Sequence, residues 1–252
     1  LIRQAIAASS SAAIRAYLHS QERRYSSLMN TLMASGCILC FARVEGTPLG
    51  AMRVRNTLAD PGFVQPSERA LNERTVAFLG TLDYAPNRDA ALYAAREVLP
   101  LLRDNDPEVE LVVIGECDEE LSAMLALSGA RVTGYVEELG TALEGVSAML
   151  IPVRSGSGSS IKIIDALARG IPVIASSFGV RGLGLQPDVH FLLANEPDAY
   201  LAAWSRLQAN YPIEAEALSK AGREYYDEHL SMSAQKHDID AAMSAAYLSA
   251  VR

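Results

Sequence analysis

From Thr75 onward the chain reads as an α/β protein built on a doubly wound parallel sheet. Three observations predict this: short β-branched runs alternate with amphipathic helical stretches, the runs are largely apolar, and glycines recur where the runs end. Apolar runs suit strands covered on both faces, and alternation with helices demands parallel crossovers.

The elements follow in order. Before Thr75, Ile2 to Leu32 reads as helix, Ile38 to Phe41 as a strand and Met52 to Asn56 as another, which is too little for a complete α/β domain. Pro61-Gly62 through Pro66-Ser67 has linker composition. The expected strands are TVAFLG, VELVVIG, ARVTG, SAMLIPV, IPVIA and HFLLA. Pro86 to Leu102, Asp118 to Leu127, Glu137 to Leu143 and Ile161 to Arg169 are the expected helices between them. Right-handed crossovers then place ligands at the carboxyl ends of the strands. Gly80, Gly115, Gly134 and the loop at Gly156 all fall at such ends, on one edge of the sheet. After His190 the chain turns helical over Pro197 to Gln208, Ile213 to His229 and Ser233 to Ala250. The expected organisation is residues 1–60, a linker at 61–74, an α/β domain at 75–230 and a terminal helix at 231–252.

Composition narrows the function. The 252 residues are 50% hydrophobic and 21% charged, ordinary for a globular α/β protein. A formal net charge of −8 argues against a general nucleic-acid binder, so any phosphate site must be local. The sequence shows no apolar run of the ~20 residues that span a bilayer and no signal peptide, so a cytoplasmic protein is expected. Starting at Leu1 rather than Met, the chain is expected to be a fragment or a processed product. Three cysteines make no disulfide framework, and Cys37-Ile38-Leu39-Cys40 reads as a strand rather than a redox motif. His19, His190, His229 and His237 are too scattered for zinc. Asp104-Asn105-Asp106 has metal-friendly spacing but lies between a helix and a strand start, on the wrong edge; Asp238-Ile239-Asp240 sits on the last helix. No metal is expected.

Pro152 to Pro172, PVRSGSGSSIKIIDALARGIP, carries the chemistry. A buried strand ending at Ile151 meets a small-residue loop, Gly156-Ser157-Gly158-Ser159-Ser160, and then a helix from Ile161. Unpaired N–H groups and the helix dipole there favour an anion. Lys162 and Asp165 share one helical face, offering a cation and a hydroxyl acceptor, or else simply pairing with each other on the surface. A ligand-free connecting loop is the plain alternative. The segment is not a Walker A loop, since no Gly-Lys-Ser/Thr ends it, nor a dinucleotide fingerprint, since Ile161 replaces the third glycine.

GSGSSIKIIDALARGIPVI resembles the donor-binding motif of GT-B retaining glycosyltransferases of the group 1 type, roughly G-G-G-T-R-L-K-V-L-E-A-M-A-x-G-x-P-V-V. FLGTLDYAPN from Phe78 to Asn87 is similar to that family's F-x-G-S-M-D-Y-x-P-N. VVIG, VTGYV and GVRGL follow in the family's order, and the likeness covers about Thr75 to Leu193. It implies a Rossmann-like GT-B carboxyl-terminal domain with extra C-terminal helices, preceded by the end of an acceptor-side domain and closed by a helix that packs back on it. It implies transfer of a sugar from a UDP- or GDP-linked nucleotide-sugar to an acceptor hydroxyl with retention, without metal or other cofactor, in polysaccharide biosynthesis. This chain would be mainly the donor-binding half and inactive alone, with possible peripheral membrane association through the missing amino-terminal part. By this resemblance Lys162 neutralises the donor diphosphate and Asp165 binds the ribose, while Gly80, Thr81, Gly134, Tyr135 and Gly156 to Ile161 surround the donor. Ser160 replaces an arginine of the motif, Asp165 a glutamate, and Thr81 and Asn87 a basic pair found in other relatives. A catalytically degenerate nucleotide-binding or interaction module is therefore the alternative, and a sugar-nucleotide epimerase a third reading.

Overall fold

The computed structural model describes residues 39–40, 52–53, 57–64, 74–156 and 160–237. The expected helix at Ile2 to Leu32 and most of the terminal helix lie outside them. The chain divides into two compact units, Leu1–Val54 with Lys236–Arg252, and Arg55–Gln235. In the first, β1 (Leu39–Cys40) pairs in parallel with β2 (Met52–Arg53), within the two stretches read as strands.

The second unit is built on six parallel strands: β3 (Thr75–Leu79), β4 (Glu110–Ile114), β5 (Arg131–Gly134), β6 (Val146–Ile151), β7 (Val173–Ala175) and β8 (Leu192–Leu193). Their spatial order is β5-β4-β3-β6-β7-β8, so the winding reverses between β3 and β6. That makes the sheet doubly wound, and the crevice beyond the carboxyl ends of β3 and β6 is the switch point where such sheets bind ligands.

Alternation of side chains splits the core into two layers. Val76, Phe78, Leu111, Val113, Ala148 and Leu150 face one side, where they meet α1 (Ala85–Tyr93), α2 (Leu99–Asn105), α3 (Glu119–Leu127) and α6 (Pro197–Ala209). Ala77, Val112, Ile114, Met149, Ile151 and Val173 face the other, against α5 (Ile161–Arg169) and the segment Tyr226–Leu230. Between these, α4 (Leu139–Ala142) is a single turn, and α7 (Ile213–Tyr225) leads into Tyr226–Leu230.

Two departures from the sequence expectation have local causes. The helix expected from Pro86 to Leu102 runs on to Asn105 but passes through a π turn at Ala94–Val98. Leu99 N–H bonds Ala94 O just before Pro100, which has no N–H to offer, so the wider turn absorbs the proline. The helix expected from Glu137 to Leu143 shrinks to α4, whose short sequence Leu-Gly-Thr-Ala contains two weak helix formers.

Residues just before the linker-like stretch, and Val64 within it, are bonded to the rest of this unit. Arg223 on α7 donates to both Asp60 oxygens at 2.9 and 2.7 Å, and Tyr226 donates its hydroxyl to Leu58 O at 2.8 Å. Val64 N–H reaches Arg169 O at 3.3 Å, at the end of α5.

Candidate functional site

A cleft of about 720 Å³ opens at the switch point, within the range of small-molecule sites. Three strand ends build its floor. Gly80, after β3, donates its N–H to Ile114 O at 3.0 Å, and Gly115, after β4, donates to Gly134 O at 3.0 Å. These turns approach so closely that a Cβ on Gly115, whose φ is +144°, would stand 2.0 Å from Gly80 O. Only glycine permits that contact.

The third strand end feeds the helix. After β6 the chain runs through Val153, Ser155 and Gly156 to Ser160, the N-cap residue of α5, and then Ile161 and Lys162, all on the cleft wall. Gly156 has φ +118°, and a Cβ there would meet Tyr84 Oη at 3.0 Å and Pro86 at 3.2 Å. Ser160 Oγ is buried without a hydrogen-bond partner among the described residues. Ser157, Gly158 and Ser159 lie outside the described residues.

Lys162 turns inward from the first turn of α5. Its Nζ donates to Asn87 Oδ1 at 2.7 Å and lies 4.3 Å from the centre of the Phe78 ring. Asn87 is held in place because its Nδ2 donates to Thr81 O at 2.9 Å. Burial pulls the Lys162 pKa from 10.5 down to about 7. An ammonium so poorly hydrated is primed to meet an anion, which would restore its charge.

Asp165 lies on the same wall but has a different partner from the one its spacing offered. It is only 5% exposed, and its Oδ2 accepts from Arg169 Nε at 3.0 Å, one turn further along α5. The surface pair of Lys162 with Asp165 is therefore not formed: Lys162 reaches Asn87, and Asp165 is neutralised by Arg169.

Of the remaining sequence-derived residues, Thr81, Tyr135 and Ile161 line the cleft, with Tyr135 and Ile161 largely exposed at its mouth. Gly134 does not line it and supports Gly115 instead. The structure adds Tyr84, Glu116, Phe178 and Gly179, and it also puts on the wall Asn87, which stands in a place of the family's basic pair, and Arg181, whose position after the IPVIA strand offers phosphate or acceptor as readily as a surface role. Position after a strand was the available signal for Glu116 and Phe178. Gly179 is fixed by its N–H to Ser176 Oγ at 3.0 Å. Asp104-Asn105-Asp106 lies away from the cleft, with Asp106 accepting from Arg74 Nη1 at 2.6 Å. Among the described residues no group of three or more His, Cys, Asp or Glu is placed to hold a metal ion. None of their helices is long and apolar enough to cross a membrane.

The topology and the glycine-built floor define a Rossmann-like α/β domain with a cleft at the switch of its sheet, the fold of GT-B glycosyltransferases. The chain belongs to the glycosyl transferases group 1 family, whose model matches residues 73–210, more than half its length. An uncharacterized 44.6 kDa protein in the cps region of Klebsiella pneumoniae is 23% identical over 135 residues, which are 50% of this chain and 35% of that protein. Sucrose-phosphate synthase from Thermosynechococcus elongatus superposes with a TM-score of 0.64 at 18% identity, covering 88% of this chain and 62% of that one. HepE from Anabaena, in complex with UDP and glucose, gives 0.64 at 12% identity, over 82% of this chain and 62% of that one. A mutant of S. aureus TarM in complex with fondaparinux, alpha-GlcNAc-glycerol and UDP gives 0.60 at 15%, over 77% and 40%. The chain thus spans about a third of the curated relative and 40% to 62% of these structures.

Proposed function

We propose that this chain is mainly the donor-binding half of a metal-independent, retaining hexosyltransferase of polysaccharide biosynthesis, acting in the cytoplasm on a UDP- or GDP-linked sugar. The observation that carries the reading is the convergence of Gly80, the start of α5 and the sunken Lys162 in one cleft at the switch of the sheet. The family match and neighbours described with UDP support it.

Chemically, charge grows on the diphosphate as the bond to the sugar breaks. Backbone N–H groups at the helix start and the Lys162 ammonium are preorganised to meet that charge. Asp165, already neutralised by Arg169, is available to accept from ribose hydroxyls without becoming a nucleophile. The acceptor's own hydroxyl then attacks from the leaving-group side, and its proton passes to the departing diphosphate oxygen as the bond to the sugar breaks. The acceptor itself, and any contact with a membrane, belong to parts of the protein beyond this domain.

Calorimetric titration of the chain with UDP and GDP tests the reading. One of them is expected to saturate a single site, and Lys162→Ala to weaken it about tenfold or more, as loss of a charged hydrogen bond does. A folded chain that binds neither overturns the donor site.

A further inference from the structure

The cleft holds a second cation, and it is built differently from the first. Arg181 is exposed on the wall, its guanidinium 3.8 Å over the Phe178 ring and its Nη2 donating to Gly156 O at 2.7 Å. Nearby guanidinium groups are already matched: Arg154 with Asp89, Arg88 with Asp118, Arg169 with Asp165. Arg181 has no carboxylate partner among the described residues. A guanidinium carries five N–H donors in a planar fork, of which the Gly156 bond uses one, and the stack on Phe178 fixes the plane without consuming any.

Charge matching gives this fork a use. A nucleoside diphosphate brings more negative charge than Lys162 alone can neutralise, and the nearest carboxylates make matters worse or no better: Glu116 is anionic and Asp165 is already paired. A phosphate left without a counter-charge on a half-buried wall is costly. Arg181 holds the Gly156 carbonyl after β6, so its free donors stand on the wall shared with Ser160 and the first turn of α5. Gly156 is confined from the other side too, since it packs against Tyr84 and Pro86 with no room for a side chain.

We propose that Arg181 binds the distal phosphate of a nucleoside diphosphate and is the residue by which the cleft distinguishes diphosphate from monophosphate. This rests on the donor-site reading above and assigns a second side chain to it. Lys162, by contrast, serves either ligand, because it reaches the floor of the cleft at Gly80 and Asn87.

The test is a calorimetric comparison of UDP, UMP, GDP and GMP on the 252-residue chain and its Arg181→Gln and Arg181→Lys variants, with folding checked by circular dichroism. For the base that binds, the native chain is expected to prefer diphosphate. Arg181→Gln is expected to lose about tenfold or more in diphosphate affinity while monophosphate affinity stays within about twofold. Arg181→Lys keeps a charge but not the fork, and is expected to fall between; it carries the test if the glutamine variant does not fold. Equal loss for both ligands would mean that Arg181 only fixes the loop, and no loss would mean that it faces no phosphate; either overturns the proposal while leaving the donor site standing. Absence of all binding to the native chain overturns both.

Discussion

At the scale of single residues, Lys162 couples the site to pH. Its folded pKa of about 7 lies below the ordinary 10.5 because burial penalises the ammonium. Between those values the unfolded chain holds a proton that the folded chain has released, so stability rises with pH from about 7; below that the burial cost is present in full. Burial pushes the Cys117 thiol above its usual 9.0, and that group works in the opposite direction once pH passes 9. Urea unfolding between pH 7 and 9 is therefore expected to show rising stability, and Lys162→Met to flatten the rise. An unchanged slope in the variant would remove Lys162 as its source. The two floor glycines separate fold from function. A Cβ on Gly80 meets first the side-chain ends of Asn87 at 2.8 Å and Lys162 at 2.9 Å, whereas one on Gly115 strikes the Gly80 carbonyl at 2.0 Å in a left-handed backbone. Gly80→Ala is expected to keep the fold and lose nucleotide affinity. Gly115→Ala is expected to cost ~1–3 kcal/mol from strain alone, seen as a lower midpoint in thermal unfolding.

At the scale of elements, β6 is the strand on which both layers and the cleft depend, since all of Val146–Ile151 is buried and its end launches the loop to α5. Leu150 is fully buried in the layer that meets α1 and α6, so Leu150→Ala is expected to cost about 2–5 kcal/mol, with the denaturant midpoint reporting it. Such elements were legible from sequence because each signal was local: α5 starts after a run of small residues and stops at Gly170, whose φ of +69° suits the left-handed cap. The π turn at Ala94–Val98 was not legible, because a proline inside a helical pattern is equally compatible with a break. Partner choice was lost in the same way. Asp165 had Lys162 on one side and Arg169 on the other at acceptable helical spacings, but Lys162 sits in the first turn and reaches Asn87, 75 residues away. No periodicity within the helix encodes that contact.

At the scale of the whole molecule, the sheet order collects the cleft from segments far apart in the chain: the ends of β3, β4 and β6 and the start of α5. Glycines at strand ends made that edge legible in the sequence, as did the positions of Arg181 after a strand and of Asn87 in the place of a basic pair; the contact of Arg181 with the Phe178 ring and the bond from Lys162 to Asn87 depended on side-chain placement across the switch and were not legible. The same arrangement sets a small cationic site in a molecule of net charge −8. A diphosphate approaching from solvent meets net repulsion at long range and attraction only inside the cleft. Salt screens the first over a Debye length of ~10 Å at 0.1 M, but acts weakly on the buried Lys162 contact. Association of UDP or GDP, whichever binds, is therefore expected to quicken or hold constant as ionic strength rises from about 0.02 to 0.15 M, with affinity changing by less than about threefold. Stopped-flow rates at several salt concentrations check this. A steep fall in association rate with salt would show that charges outside the cleft, rather than Lys162 and Arg181 on its wall, draw the nucleotide in.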